Sequence, residues 1–261
     1  METTQKIDAQ KESRPHNIRF GIITTSMIRS IVLLIVTFFL YTASYGQTQF
    51  NISLKRELDS MKSLDQKYRA ALIANMNGKG DSLANSYGIR KEDLNDYLWK
   101  LQGEIDSLNT IRVSEIINQY GYPGISLVGK PTNEAAFYIL QHSKVIDKYL
   151  SVVKEATEKN ELKFQLYAMM LDRSLMFQDK EQFYGTQGSG MSVKNATTGE
   201  WENLSFIWPI KDPATVNGRR KAAGFEHTIE ESAQSLGIEY RVFTLGEILK
   251  WREEAIKAGS N

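Results

Sequence analysis

The sequence predicts a mainly α domain with a small irregular β hairpin region packed on it. Three observations carry that expectation. Apolar residues recur at three- and four-residue spacing over most of the chain after residue 52. One stretch, 182–210, breaks that rhythm and is rich in Gly, Thr, Ser and aromatic residues. Helix start signals resume after it.

The first helix is expected over 52–74, where Leu54, Leu58, Met61, Leu64, Tyr68 and Leu72 form one apolar stripe. Asn77, Gly78 and Gly80 end it. Shorter helical stretches are expected at 94–101 and 110–120, the second stopped by Gly121 and Pro123. The strongest periodicity runs over 133–158 through Ala136, Phe137, Leu140, Ile146, Tyr149 and Val153. After Asn160 a partner helix covers 161–178, and the short connection predicts antiparallel packing. Two short strands are expected near 190–194 and 201–207. Asp212-Pro213 then opens a helix that ends at Gly224. A helix at 229–236, a short strand at Tyr240-Arg241-Val242-Phe243 and a last helix behind the capping box Thr244-Leu245-Gly246-Glu247 complete the series.

The N-terminus predicts export. Arg29, the apolar run 31–40 and small residues at Ser44 and Gly46 are the parts of a cleaved signal peptide. Residues 1–46 are therefore expected to be an N-terminal extension and signal, and 47–261 a single mostly helical domain, periplasmic or extracellular. Met27 gives a signal of ordinary length and is an alternative start. Residues 41–53 are too polar to extend the apolar run into a stable membrane anchor.

Removing residues 1–46 leaves 27 basic and 28 acidic side chains, a formal charge of −1. That balance gives no electrostatic case for nucleic acid. With no cysteine, the domain must be stable without disulfides. The segment GISLVGKP, 124–131, has the spacing of a phosphate loop but carries Pro131 where a magnesium-holding hydroxyl is needed. The expected mature chain has only two histidines, His142 and His227, so no metal site and no cofactor is predicted. Nothing in the sequence sets an oligomeric state.

Candidate functional residues lie in four places. His142 can move a proton near neutral pH, or sit satisfied in a core. Asp172 and Arg173 project about 100° apart on their helix, so one can face a partner and the other a groove. Asp65 and Arg69 are spaced for a helix ion pair. Gln182, Tyr184 and Gln187, with Thr186 and two glycines between and beside them, suit polar ligand recognition or the pinning of a loop.

In order, LDQKYR, DSLNT, IINQYGYPG, the pair Val128-Gly129, LQHS, YAMMLDR, QFYGTQ and PIKDPATVNGRR resemble a family of uncharacterised, often exported bacterial domains of unknown function over roughly residues 58–226. The resemblance implies a domain and no reaction. It points to Asp65, Gln66, Arg69, His142, Asp172, Arg173, Gln182, Tyr184, Gln187, Arg219 and Arg220, which fall on its motif positions. In the Gly-x-Pro loop this chain has Tyr122 where the family pattern favours tryptophan.

The function expected is binding of a small polar, glycan or peptide ligand. A cell-envelope hydrolase using His142 and Asp172 is the alternative, and a structural or protein–protein role a second. The geometric expectation is that His142, Asp172, Arg173, Tyr184 and Gln187 converge on one pocket, and a binding role expects an open groove lined by Tyr184, Trp201 or Trp208.

Overall fold

The computed structural model describes residues 50–259. The expected export signal, its Met27 start and the cut before Gln47 lie outside the described residues. Helix α1, Ile52–Ala74, starts where the Asn51 side chain accepts the Leu54 amide at 3.0 Å. A π turn, Asn75–Lys79, leads into α2, Gly80–Tyr87, which ends on Gly88 in the left-handed conformation.

Helix α3 is one rod, Lys91–Tyr120, where two pieces were expected. The residues that hid its continuity are polar and face inward. Gln102 and Asn109 are buried against α1, and the Asn109 amide donates to the Met61 carbonyl at 3.2 Å. A polar seam of this kind interrupts the apolar rhythm without interrupting the backbone.

The opposite correction applies to the segment 133–158. It divides into α5, Ala135–Leu140, and α6, Ile146–Glu158. At the break, the amides of His142 and Ser143 reach back only three residues, to Ile139 and Leu140. The Ser143 hydroxyl also takes the Leu140 carbonyl at 2.9 Å, a local bond that competes with the helical ladder. The short α4, Ile125–Val128, precedes this pair, and α7, Phe164–Phe177, follows it.

One core joins these helices. Leu58, Val113, Phe137, Leu140, Val153 and Met170 are fully buried in it. A second apolar cluster, Leu72, Ala84, Leu94 and Leu98, fastens the distal ends of α1 and α3 to α2.

The β element is a two-stranded antiparallel hairpin, β1 (Gly188–Lys194) with β2 (Trp201–Ile207), in a register that pairs Gly188 with Ile207 and Lys194 with Trp201. Helices α8 (Val216–Ala222), α9 (Ile229–Ser235) and α10 (Leu245–Gly259) follow, and α10 packs on β1. Asp212 precedes a single 3-10 turn in a left-handed conformation and makes no side-chain cap, so the expected start there is replaced by Val216. The expected strand over 240–243 does not form. Arg241 and Val242 are exposed, while Phe243 packs edge-on against Phe206 and Trp251. Among the described residues no helix is long and apolar enough to cross a membrane.

Candidate functional site

Asp172 and Arg173, consecutive on α7, divide the expected cluster into two arrangements. Asp172 is fully buried. Its Oδ1 accepts the amides of Phe183 and Tyr184 at 2.8 and 3.1 Å, and its Oδ2 accepts the Thr186 amide and hydroxyl at 3.0 Å each. Burial pushes the carboxyl up while these donors pull it down. Every contact is a donor, so the ionised form is the one that fits.

The rest of the loop is held the same way. Gln182, also fully buried, donates to the carbonyls of Gln187 and Trp208 and accepts the Gln187 amide at 2.9 Å. Arg219 donates to the Phe183 carbonyl, and Arg220 to the Tyr184 carbonyl at 2.8 Å. Carboxylate on one side and guanidinium groups on the other thus satisfy the backbone of 183–187. Gly185 sits at φ +68°, and a Cβ there would collide with Ile229. The Tyr184 ring packs between Phe164 and Phe225, with both centroids at 6.3 Å. Trp208 is buried with its indole N–H on the Lys180 carbonyl, so it is core and not an aromatic wall.

Arg173 points the other way and gathers the second arrangement. Its Nε donates to Gln187 Oε1 at 2.9 Å and its Nη1 to His142 Nδ1 at 3.0 Å. The carbonyl of Gln141, released by the break after α5, lies 3.4 Å from the same Nη1. Because a guanidinium can only donate, His142 Nδ1 must accept, which places the ring proton on Nε2.

Burial, and then the positive charges of Arg69 and Arg173, push His142 down to about 3, so it is neutral over the physiological range. Among the described residues no carboxylate lies within ion-pair distance of Arg173. Its two Nη2 hydrogens meet no protein acceptor there, and Nη2 is not among the buried unpaired atoms.

Arg69 is the charge that α1 contributes. It pairs with Asp106 of α3 at 2.5 Å and, more loosely, with buried Asp65 at 3.5 Å. The pair expected to lie on one helix surface is therefore half-buried and shared between two helices. Burial pushes the Asp65 carboxyl up against the pull of Arg69 and Gln66. Asp106 also takes the Gln102 amide at 2.7 Å. Beside it, Arg69 Nε and Gln102 Oε1 are a buried donor and a buried acceptor without protein partners.

The structure thus brings together Arg69, His142, Arg173 and Gln187, and sets Asp172, Gln182, Arg219 and Arg220 apart as the supports of the loop. No hydrogen bond joins His142 to Asp172 among the described residues, so the acid–base pair considered from sequence is not formed. His227 is exposed beside Glu231. The polar partners Asp106, Gln102 and Gln141 were not among the expected site residues. Asp106 opens DSLNT, one of the segments that carry the resemblance, and that was the available signal; Gln141 acts through a carbonyl that only the helix break frees. Among the described residues no group of three or more His, Cys, Asp or Glu side chains could hold a metal ion.

A family model described as a family of unknown function (DUF6624) matches residues 92–242, more than half of the chain. The match takes in His142, the loop and both Arg219 and Arg220, and begins after Asp65 and Arg69. No curated protein and no solved structure matches the chain.

Proposed function

The chain belongs to DUF6624, a family of unknown function, and since that membership assigns no reaction, we propose from the site's geometry that it is an exported domain binding a polar ligand through an oxyanionic group. The observation that carries this reading is Arg173. It is a largely enclosed guanidinium held by neutral acceptors alone, with its outer nitrogen unpaired. Arg69, whose charge Asp106 and Asp65 already pair, adds only its unpartnered Nε–H, and His142 its Nε2–H. The unpaired Nη2 of Arg173 suits a carboxylate or phosphate group, and guanidinium is the side chain best shaped for either.

Hydrolysis is the weaker reading. The lone pair of His142 is taken by Arg173 and both Asp172 oxygens by the loop, which leaves no free base between them.

Glucuronate and inorganic phosphate are the probes, followed by melting temperature and by the ring signals of His142. Saturable binding is expected, weakened about tenfold or more by Arg173→Gln, since a hydrogen bond to a charged group is worth ~1.5–3 kcal/mol. His142→Ala is expected to weaken binding with little change in melting temperature. Glucuronate affinity should hold from pH 8 to pH 5, because His142, at about 3, stays neutral across that range. Unchanged affinity in Arg173→Gln, or a loss of binding centred on the ordinary histidine range, would overturn the assignment.

Export rests on Arg29, the run 31–40 and the Ser44/Gly46 pair. N-terminal sequencing of the protein recovered from cells is expected to begin at Gln47. A species that retains residues 31–40 would refute it.

A further inference from the structure

Beyond that reading, we infer that the groove between α7 and α9 is a separate site for the α-carboxylate of an apolar amino acid or peptide end. The groove has a volume of about 250 Å³ and is lined by Met169 of α7, Gly185 of the loop, Arg220, Phe225, and Ser232 and Leu236 at α9. That volume falls below the range of drug-sized pockets and suits one residue.

Spare donors cluster on one polar side of it, around Arg220. Arg220 is 3% exposed and stacks 4.7 Å over the Phe225 ring. Its Nε, Nη1 and Nη2 each give one hydrogen, to the His227 carbonyl, the Tyr184 carbonyl and the Ser232 hydroxyl. A guanidinium has five N–H groups, so one hydrogen on each Nη remains. Among the described residues no carboxylate lies within ion-pair distance of Arg220. Ser232 Oγ accepts from Arg220, which leaves its own hydrogen to donate. The Gly185 amide meets no acceptor among the described residues, because Asp172 takes the amides on both sides of it and not its own.

Residues from three different elements that each keep a donor without an acceptor therefore line one small groove. The apolar surface of the same groove, Met169, Phe225 and Leu236, suits an aliphatic side chain. A carboxylate satisfies the donors, and Glu226 at the rim disfavours a group of higher negative charge such as phosphate.

The test uses the full chain and follows the backbone amide signals of Gly185 and Ser232. N-acetyl-leucine is expected to shift both saturably, and N-acetyl-leucinamide to bind about tenfold or more weakly, having lost the charge. Free leucine distinguishes the source: tighter binding than the acetyl form identifies a free amino acid whose ammonium reaches Glu226, and weaker binding a peptide end. Ser235→Trp, at an exposed position on the groove wall, should abolish the shifts without lowering the melting temperature. Arg173→Gln should leave them intact, which separates this site from the one proposed above. Equal binding of acid and amide, or no shift at Gly185 and Ser232, overturns the inference.

Discussion

Replacing Asp172 by alanine is expected to destabilise the protein by about 3–5 kcal/mol, because several enclosed donors lose their acceptor at ~1–3 kcal/mol each. The amides of Phe183, Tyr184 and Thr186 and the Thr186 hydroxyl all end on this one carboxylate. Nothing else in the loop can take their place, since Arg219 and Arg220 serve its carbonyls. Urea unfolding followed by circular dichroism measures the loss, and hydrogen exchange should rise first at those three amides. Asp172→Asn keeps the shape but turns one acceptor into a donor facing a donor, so it is expected to lose part of the same stability. A change below about 1 kcal/mol in the alanine variant would show that the arginines hold the loop without the carboxylate.

The second large effect is expected at Leu140. Truncation to alanine should cost about 2–5 kcal/mol through lost burial and the cavity left behind. Leu140 is fully enclosed in the main core and is the last residue of α5. Its carbonyl anchors the turn that carries His142. The variant should therefore disturb the His142 ring signals as well as stability. Leu166→Ala, at a position slightly less enclosed, is expected at the lower end of the range. Near-neutral changes at both would contradict the packing described.

The helical architecture was legible because apolar spacing reports burial directly. Leu54, Leu58 and Met61 in α1 and Val153 in α6 face the core as their periodicity requires, whereas Leu64, expected on the same stripe, is exposed. What escaped is polar. The middle of α3 looked like a gap because Gln102 and Asn109 occupy inward positions, and inward polar residues carry no hydrophobic signal. The break at 141–145 was hidden for the converse reason. Leu140 and Ile146 keep a helical apolar pattern across it, while the Ser143 side-chain bond that competes with the helix is too local to show in a periodicity.

At the site, the segment 182–187 was recognisable as unusual, but of the residues expected to share one pocket only Gln187 meets Arg173 and, through it, His142, while Asp172 and Tyr184 belong to the other arrangement. Which way Asp172 and Arg173 divide could not be read, since adjacent helical side chains diverge but the sequence does not say which one faces the loop. Arg69 shows the same limit. Its i, i+4 partner Asp65 was visible, whereas its closer partner Asp106 lies 37 residues away.

The inward polar seam between α1 and α3 also has a consequence for alignment. Two rods joined only by leucines can trade one set of contacts for a similar set by sliding a turn. The Asn109 amide has one carbonyl to meet, that of Met61, and Arg69 has one carboxylate on the neighbouring rod, Asp106. Displacement along the axis would break both at once and leave the buried Asn109 amide without a partner. The seam works like the notch of a ruler. It sets how far along its length α1 presents the guanidinium of Arg69, and so whether that charge arrives level with His142.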